Sequence, residues 1–100
     1  MAWIKACSVG DFEPDEGIRV EADPPVAVFH VDGEYFAIGD ICTHGQSSLA
    51  EGYLDGTEVE CSWHFAKFCL RTGRALTLPA TEDVATYPVR VEDDIVFVDV

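Results

Sequence analysis

Asp32-Gly33 separates two apolar runs, Val26–Val31 (VAVFHV) and Glu34–Ile38 (EYFAI), and this arrangement constrains the fold more than any other feature of the chain. An Asp-Gly pair supplies the two positive φ values that a two-residue hairpin turn needs, because it joins strands whose twist an ordinary turn would splay. Much of the remaining chain follows the same grammar. Ile18–Ala22 alternates apolar with polar and is broken by Pro24-Pro25. Thr86–Val91, then Glu92-Asp93-Asp94, then the apolar run from Ile95 to Val100 predicts a second hairpin. Shorter strands are expected at Thr57–Glu60 and Lys67–Leu70, and a further one near Cys7, with turns at Gly52, Gly56 and Gly73. Nothing reads as a long amphipathic helix. The expected class is all-β, a small antiparallel sandwich or barrel base carrying a loop-rich subdomain over residues 41–80. One hundred residues suffice for a single domain with one core.

Charge narrows the partners. The formal net charge is −13, which disfavours nucleic acid and anionic membranes, since both present negative charge. Residues 41–80 hold four acids and three bases, whereas the flanking segments hold fifteen acids and three bases. Acidity therefore belongs to the outer body, as a solvated surface or as a field that steers a basic partner. The other aspartates and glutamates are read the same way. No apolar run approaches the roughly 18 residues of a membrane span, and the N-terminus lacks a signal-peptide pattern, so a cytoplasmic location is expected.

In that compartment cysteines and histidines in close pairs point to metal rather than to disulfides. Cys42-Thr43-His44 and Cys61-Ser62-Trp63-His64 form C-x-H, sixteen residues, then C-x-x-H. Each loop contributes one thiolate and one imidazole. A single zinc also accepts two of each, but zinc modules more often pair like with like. One soft and one borderline ligand per loop suits two sulfide-bridged irons, one taking both thiolates and the other both imidazoles. Cys7 and Cys69 are expected to be small buried hydrophobes. His30 reads as a structural or surface histidine, and Lys67, Arg71 and Arg74 as balance for local acids. Trp63 and Phe65 flank a ligand and serve either as core or as an apolar contact surface. No Ser/His/Asp set, catalytic carboxylate pair or phosphate loop is present.

The two motifs, within EYFAIGDICTHG (Glu34–Gly45) and CSWHFAKFCLRTGR (Cys61–Arg74), resemble those of the Rieske family. From about Val26 to the C-terminus the chain is similar to the ferredoxin components of bacterial aromatic-ring dioxygenases of the biphenyl/toluene type. The resemblance implies one [2Fe–2S] cluster, with Cys42 and Cys61 on the inner iron and His44 and His64 on the outer iron through Nδ1. It implies a non-enzymatic one-electron carrier, a monomer, that accepts electrons from an NAD(P)H-dependent flavoprotein reductase. Delivery would be to a terminal Rieske non-haem iron dioxygenase. A small subunit of a nitrite-reductase-like enzyme would use the same domain, and a structural zinc module is the reading from a different class.

Departures from high-potential relatives carry their own expectations. Ser47 and Trp63 stand where those relatives place an extra disulfide. Ala66 and Phe68 stand where they place a serine and a tyrosine whose hydroxyls bond to sulfur. Fewer donors stabilise the added electron less, so the potential should lie low in the class, near roughly −150 mV. Phe65 replaces a glycine common in relatives. The segments Cys42–Ser48 and Cys61–Ala66 contain no charged residue, which suggests a neutral docking tip on an acidic body.

Overall fold

The computed structural model describes residues 2–13, 16–42, 47–62, 66–77 and 82–100. Among these residues ten strands form three antiparallel sheets: β1 (Trp3–Ser8), β2 (Ile18–Val20), β3 (Val26–Val31), β4 (Glu34–Gly39), β5 (Tyr53–Asp55), β6 (Glu58–Glu60), β7 (Lys67–Cys69), β8 (Thr86–Tyr87), β9 (Val89–Glu92) and β10 (Ile95–Asp99). The sheet orders are β1-β10-β9, β2-β3-β4-β8 and β5-β6-β7. Two single 3-10 turns, Val9–Asp11 and Leu49–Glu51, are the only helical segments among the described residues.

The β3–β4 hairpin forms as its turn chemistry requires, with φ of 49° at Asp32 and 80° at Gly33 and Val31 facing Glu34. β3 is the centre of the molecule. Val26, Ala27, Val28 and Phe29 are all fully buried, which explains why this run is continuously apolar instead of alternating. Successive side chains leave a strand on opposite faces. Val26 and Val28 therefore join Cys7, Ala37, Val96 and Val98 in one core, between the first two sheets. Ala27 and Phe29 join Ile38, Val59, Phe68 and Leu70 in a second core, beneath the β5-β6-β7 sheet. One strand thus ties the base to the small sheet.

The C-terminal hairpin is tighter than its sequence suggests. Glu92 belongs to β9 and pairs with Ile95, so the turn is Asp93-Asp94 alone, with φ of 50° and 64°. Aspartate tolerates this left-handed region better than most residues because its short side chain bonds locally. Thr86–Val91 is also not one strand. Proline has no N–H for a ladder, and at Pro88 the segment is divided into β8, which pairs with β4, and β9, which pairs with β10. β5 was not expected: its three residues (YLD) are too few to show a period, and it is defined only by pairing with β6 through the turn at Gly56. The strands with predicted bounds otherwise lie within two residues of them, and β1 is the strand expected near Cys7. Among the described residues no helix is long and apolar enough to cross a membrane.

Candidate metal centre

Two loops built to one plan carry the cysteines of the metal motifs. The first is closed at its root by a bridge between Ile41 and Ser48, and the second by the β6–β7 pair Glu60 and Lys67. Inside each closure the cysteine N–H donates to the carbonyl five residues on: Cys42 to Ser47 at 2.9 Å, and Cys61 to Ala66 at 2.7 Å. Each cysteine therefore stands at the first position of a closed six-residue loop. The two belong to one buried apolar cluster that also contains Leu49, Ala66 and Phe68, and they are 1% and 0% exposed. His44 and His64, with Trp63 and Phe65, lie outside the described residues. Among the described residues no three Cys, His, Asp or Glu side chains gather at a metal-binding separation.

The other candidate residues sort differently. Cys7 is buried, as expected. Burial, with a smaller contribution from the Asp11 carboxylate, pushes its thiol up to about 11. Cys69 is only half-buried, contrary to expectation, because it ends β7 at a tight turn where the small sheet meets solvent. A hydrogen bond from the Thr72 hydroxyl, helped by the N–H groups of Thr72 and Arg71, lowers its pKa against the opposing effect of burial. The thiolate is the nucleophile, and it becomes available at lower pH at Cys69 and only at high pH at Cys7. In iron-loaded protein at pH 8, iodoacetamide should modify Cys69 at least tenfold faster than Cys7, as peptide mass mapping would show. Equal labelling would contradict the environments described.

His30 is exposed and stacks on Tyr35 with ring centroids 4.3 Å apart, so it is a surface histidine. Arg71 does not serve a local acid. It reaches Glu34 at 2.6 Å across 37 residues of sequence and lies over the Phe36 ring, fastening the turn after β7 to the base.

Sequence reasoning missed Asp40, which it had counted among the surface acids. Asp40 is fully buried at the end of β4, two residues before Cys42. Its Oδ1 accepts hydrogen bonds from the Ser48 hydroxyl at 2.7 Å and the Ala50 N–H at 2.9 Å. The available signal was its position, immediately after an apolar strand and before a ligand motif.

Among the described residues, a β base carries a small three-stranded sheet, and two cysteines in one buried cluster stand at the roots of two loops. The Rieske [2Fe-2S] domain model matches residues 2–88. The chain is 50% identical over 100 residues to the 3-phenylpropionate/cinnamic acid dioxygenase ferredoxin subunit of Escherichia coli K12, covering 99% of this chain and 94% of that one. Among solved structures it is similar to a Sphingomonas yanoikuyae B1 ferredoxin, at 38% identity and a TM-score of 0.92, over 99% of both chains. It also matches a structure described as a complex of reduced oxygenase and oxidized ferredoxin in carbazole 1,9a-dioxygenase, at 37% identity and a TM-score of 0.89, over 96% of this chain and 91% of that one. The protein belongs to the Rieske [2Fe–2S] family.

The described residues fit such a cluster. Cys42 and Cys61, the two thiols of the sequence motifs, lie buried in one apolar cluster at equivalent places in the two loops. Asp40, the buried carboxylate nearest in sequence, is engaged with Ser48 and Ala50.

Proposed function

We propose that Cys42 and Cys61 hold one iron of the cluster and His44 and His64 the other, and that this chain, folded as one domain, is the ferredoxin of an aromatic-ring dioxygenase system. A bound Rieske cluster supplies a one-electron couple, and the chain's own task is to hold it, limit its contact with water and present it to partners. Identity of 50% along almost the whole length of a dioxygenase ferredoxin subunit carries this reading. In it, a flavoprotein reductase oxidises NAD(P)H and loads the ferredoxin singly, and two reduced ferredoxins serve each turnover of a terminal oxygenase. The partners meet in the cytoplasm, and the carrier acts as a monomer, since reversible docking requires an interface that reopens. The uncharged loop segments form the contact, with the acidic body steering approach.

Reconstitution by omission tests the role. With reductase, oxygenase and NADH held constant, oxygenase reduction followed by stopped flow should depend on this chain and saturate with its concentration. Direct reduction of the oxygenase at the same rate without it would remove the shuttle from the account.

The same reading predicts the effect of hydroxyls at two fully buried positions of the thiolate cluster, Ala66 and Phe68. A hydrogen bond to the centre strengthens as sulfur gains charge on reduction. At a net worth of about 1 kcal/mol per bond, Ala66→Ser and Phe68→Tyr should each raise the one-electron potential by about 40 mV. Redox titration measures this directly, and a fall with intact iron content would show that neither side chain faces the centre.

A further inference from the structure

The roots of the two loops are secured by different means. The second loop leaves β6 and enters β7, and a continuous ladder holds both ends: Glu58 with Cys69, Val59 with Phe68, Glu60 with Lys67. Among the described residues the first loop has no second strand. Among the described residues beyond Gly39, one isolated bridge between Ile41 and Ser48 pairs its ends, through Cys42 N–H to Ser47 O and Leu49 N–H to Asp40 O. Asp40 carries one of that bridge's two bonds and adds fastening through its backbone N–H and its side chain. Its N–H donates to Pro25 O at 3.0 Å, and its carbonyl accepts from Leu49 N–H at 2.6 Å. Its carboxylate gathers Ser48 and Ala50, so the chain leaving the loop is bound to the chain entering it.

A neutral side chain could have made these bonds, but the position holds a carboxylate with 0% exposure. Its second oxygen, Oδ2, has no aligned hydrogen-bond donor and lies 3.2 Å from Arg19 Nη1 on β2. Arg19 is 42% exposed and shares its guanidinium with Glu21 at 2.9 Å. The negative end of this pair is dry and adjacent to the loop, while the positive end is wet and divided between two acids. Water screens the cation far better than the anion. The pair therefore does not cancel at the metal centre.

Resting on the ligand assignment above, we propose that Asp40 is a positioning residue for the first cluster loop and that its buried charge, partly offset by Arg19, holds the cluster at a lower potential. Residues outside the ligand set commonly orient the ligands and tune the metal. Here one group does both, and the two effects are separable. Asp40→Asn keeps Oδ1 as an acceptor but removes the charge. Arg19→Gln removes only the countercharge. Ser48→Ala removes one bond from Oδ1 and changes no charge.

The test is redox titration with EPR on iron-loaded full-length protein, with iron and sulfide counted in every sample. At a fixed applied potential near the wild-type midpoint, Asp40→Asn should raise the reduced-to-oxidised ratio about fivefold, and Arg19→Gln should lower it by roughly half that factor. Ser48→Ala should leave the ratio within about twofold while broadening the EPR lines, as a looser loop spreads ligand geometry. Purely structural damage would not drive the first two variants in opposite directions. Wild-type ratios in both, or shifts of the same sign, with full iron content, would overturn the proposal. Should Asp40→Asn fail to fold, Arg19→Gln decides, since its side chain is half in water. Wild-type protein lacking two irons or a Rieske signal would instead overturn the ligand assignment, so the two failures are distinguishable.

Discussion

Cys61→Ser should lose at least nine-tenths of its iron and all of its brown colour, and Cys42→Ser, His44→Ala and His64→Ala should do the same. A serine hydroxyl is a hard, weakly acidic donor and does not replace a thiolate on iron. Loop closure does not depend on sulfur, because it uses the backbone N–H groups of Cys42 and Cys61. The variants should therefore still fold, the two serine variants with stability reduced by about 1–3 kcal/mol for a hydroxyl in an apolar cluster. Cys7→Ser and Cys69→Ser should keep full colour, since Cys7 lies in the other core and Cys69 ends β7 beside solvent. Iron and acid-labile sulfide per chain, read beside far-ultraviolet circular dichroism, separates loss of metal from loss of fold. Iron loss in a folded Cys69→Ser variant would reassign the ligands.

The largest effect on stability is expected at Gly73. It has a φ of 75°, and a Cβ there would collide with the carbonyl oxygen of Val84 and meet Thr86 Cγ2 at 3.1 Å. The obstacle is backbone, fixed by the Val84 N–H bond to Gly73 O at 2.8 Å, and Gly73 N–H is itself bonded to Cys69 O at 2.8 Å. Neither side can yield without opening the junction between the small sheet and the chain entering β8. Gly73→Ala should cost more than about 3 kcal/mol, combining left-handed strain of roughly 1–2 kcal/mol with overpacking of similar size. Two other glycines divide these contributions. Gly33 has a φ of 80° and open space around its Cβ position, so Gly33→Ala should cost only the strain. Gly10 has open space and no positive φ, so Gly10→Ala should stay within about 0.5 kcal/mol. Urea midpoints of the three variants give the comparison, and a Gly73→Ala midpoint near that of Gly33→Ala would show that the junction is soft.

These residues also show what can be read from a sequence and what cannot. Asp32-Gly33 and each of the two Cys/His motifs are local signals, each complete within a dozen residues, and the hairpin follows from the first. Pro88 was equally visible, yet its consequence is a change of sheet, and that depends on β4 and β10 as partners from opposite ends of the chain. Asp40 was the costliest omission. Nineteen acids in one hundred residues make any single aspartate look like surface, and beyond its position after an apolar strand it is the approach of Arg19, Ser48 and Ala50 that identifies this one as interior. Arg71 follows the same logic, with its partner Glu34 on another sheet. Turn chemistry is a property of a segment, whereas burial of a charge is a property of the assembled fold.

The most direct test of the central claim is a reductive titration of purified protein followed by EPR, with metal and sulfide analysis of the same sample. The account requires two irons and two acid-labile sulfides per chain. It further requires uptake of one electron, a spin-half signal only in the reduced state, and a midpoint near roughly −150 mV. A colourless protein with one zinc per chain and no electron uptake would contradict it.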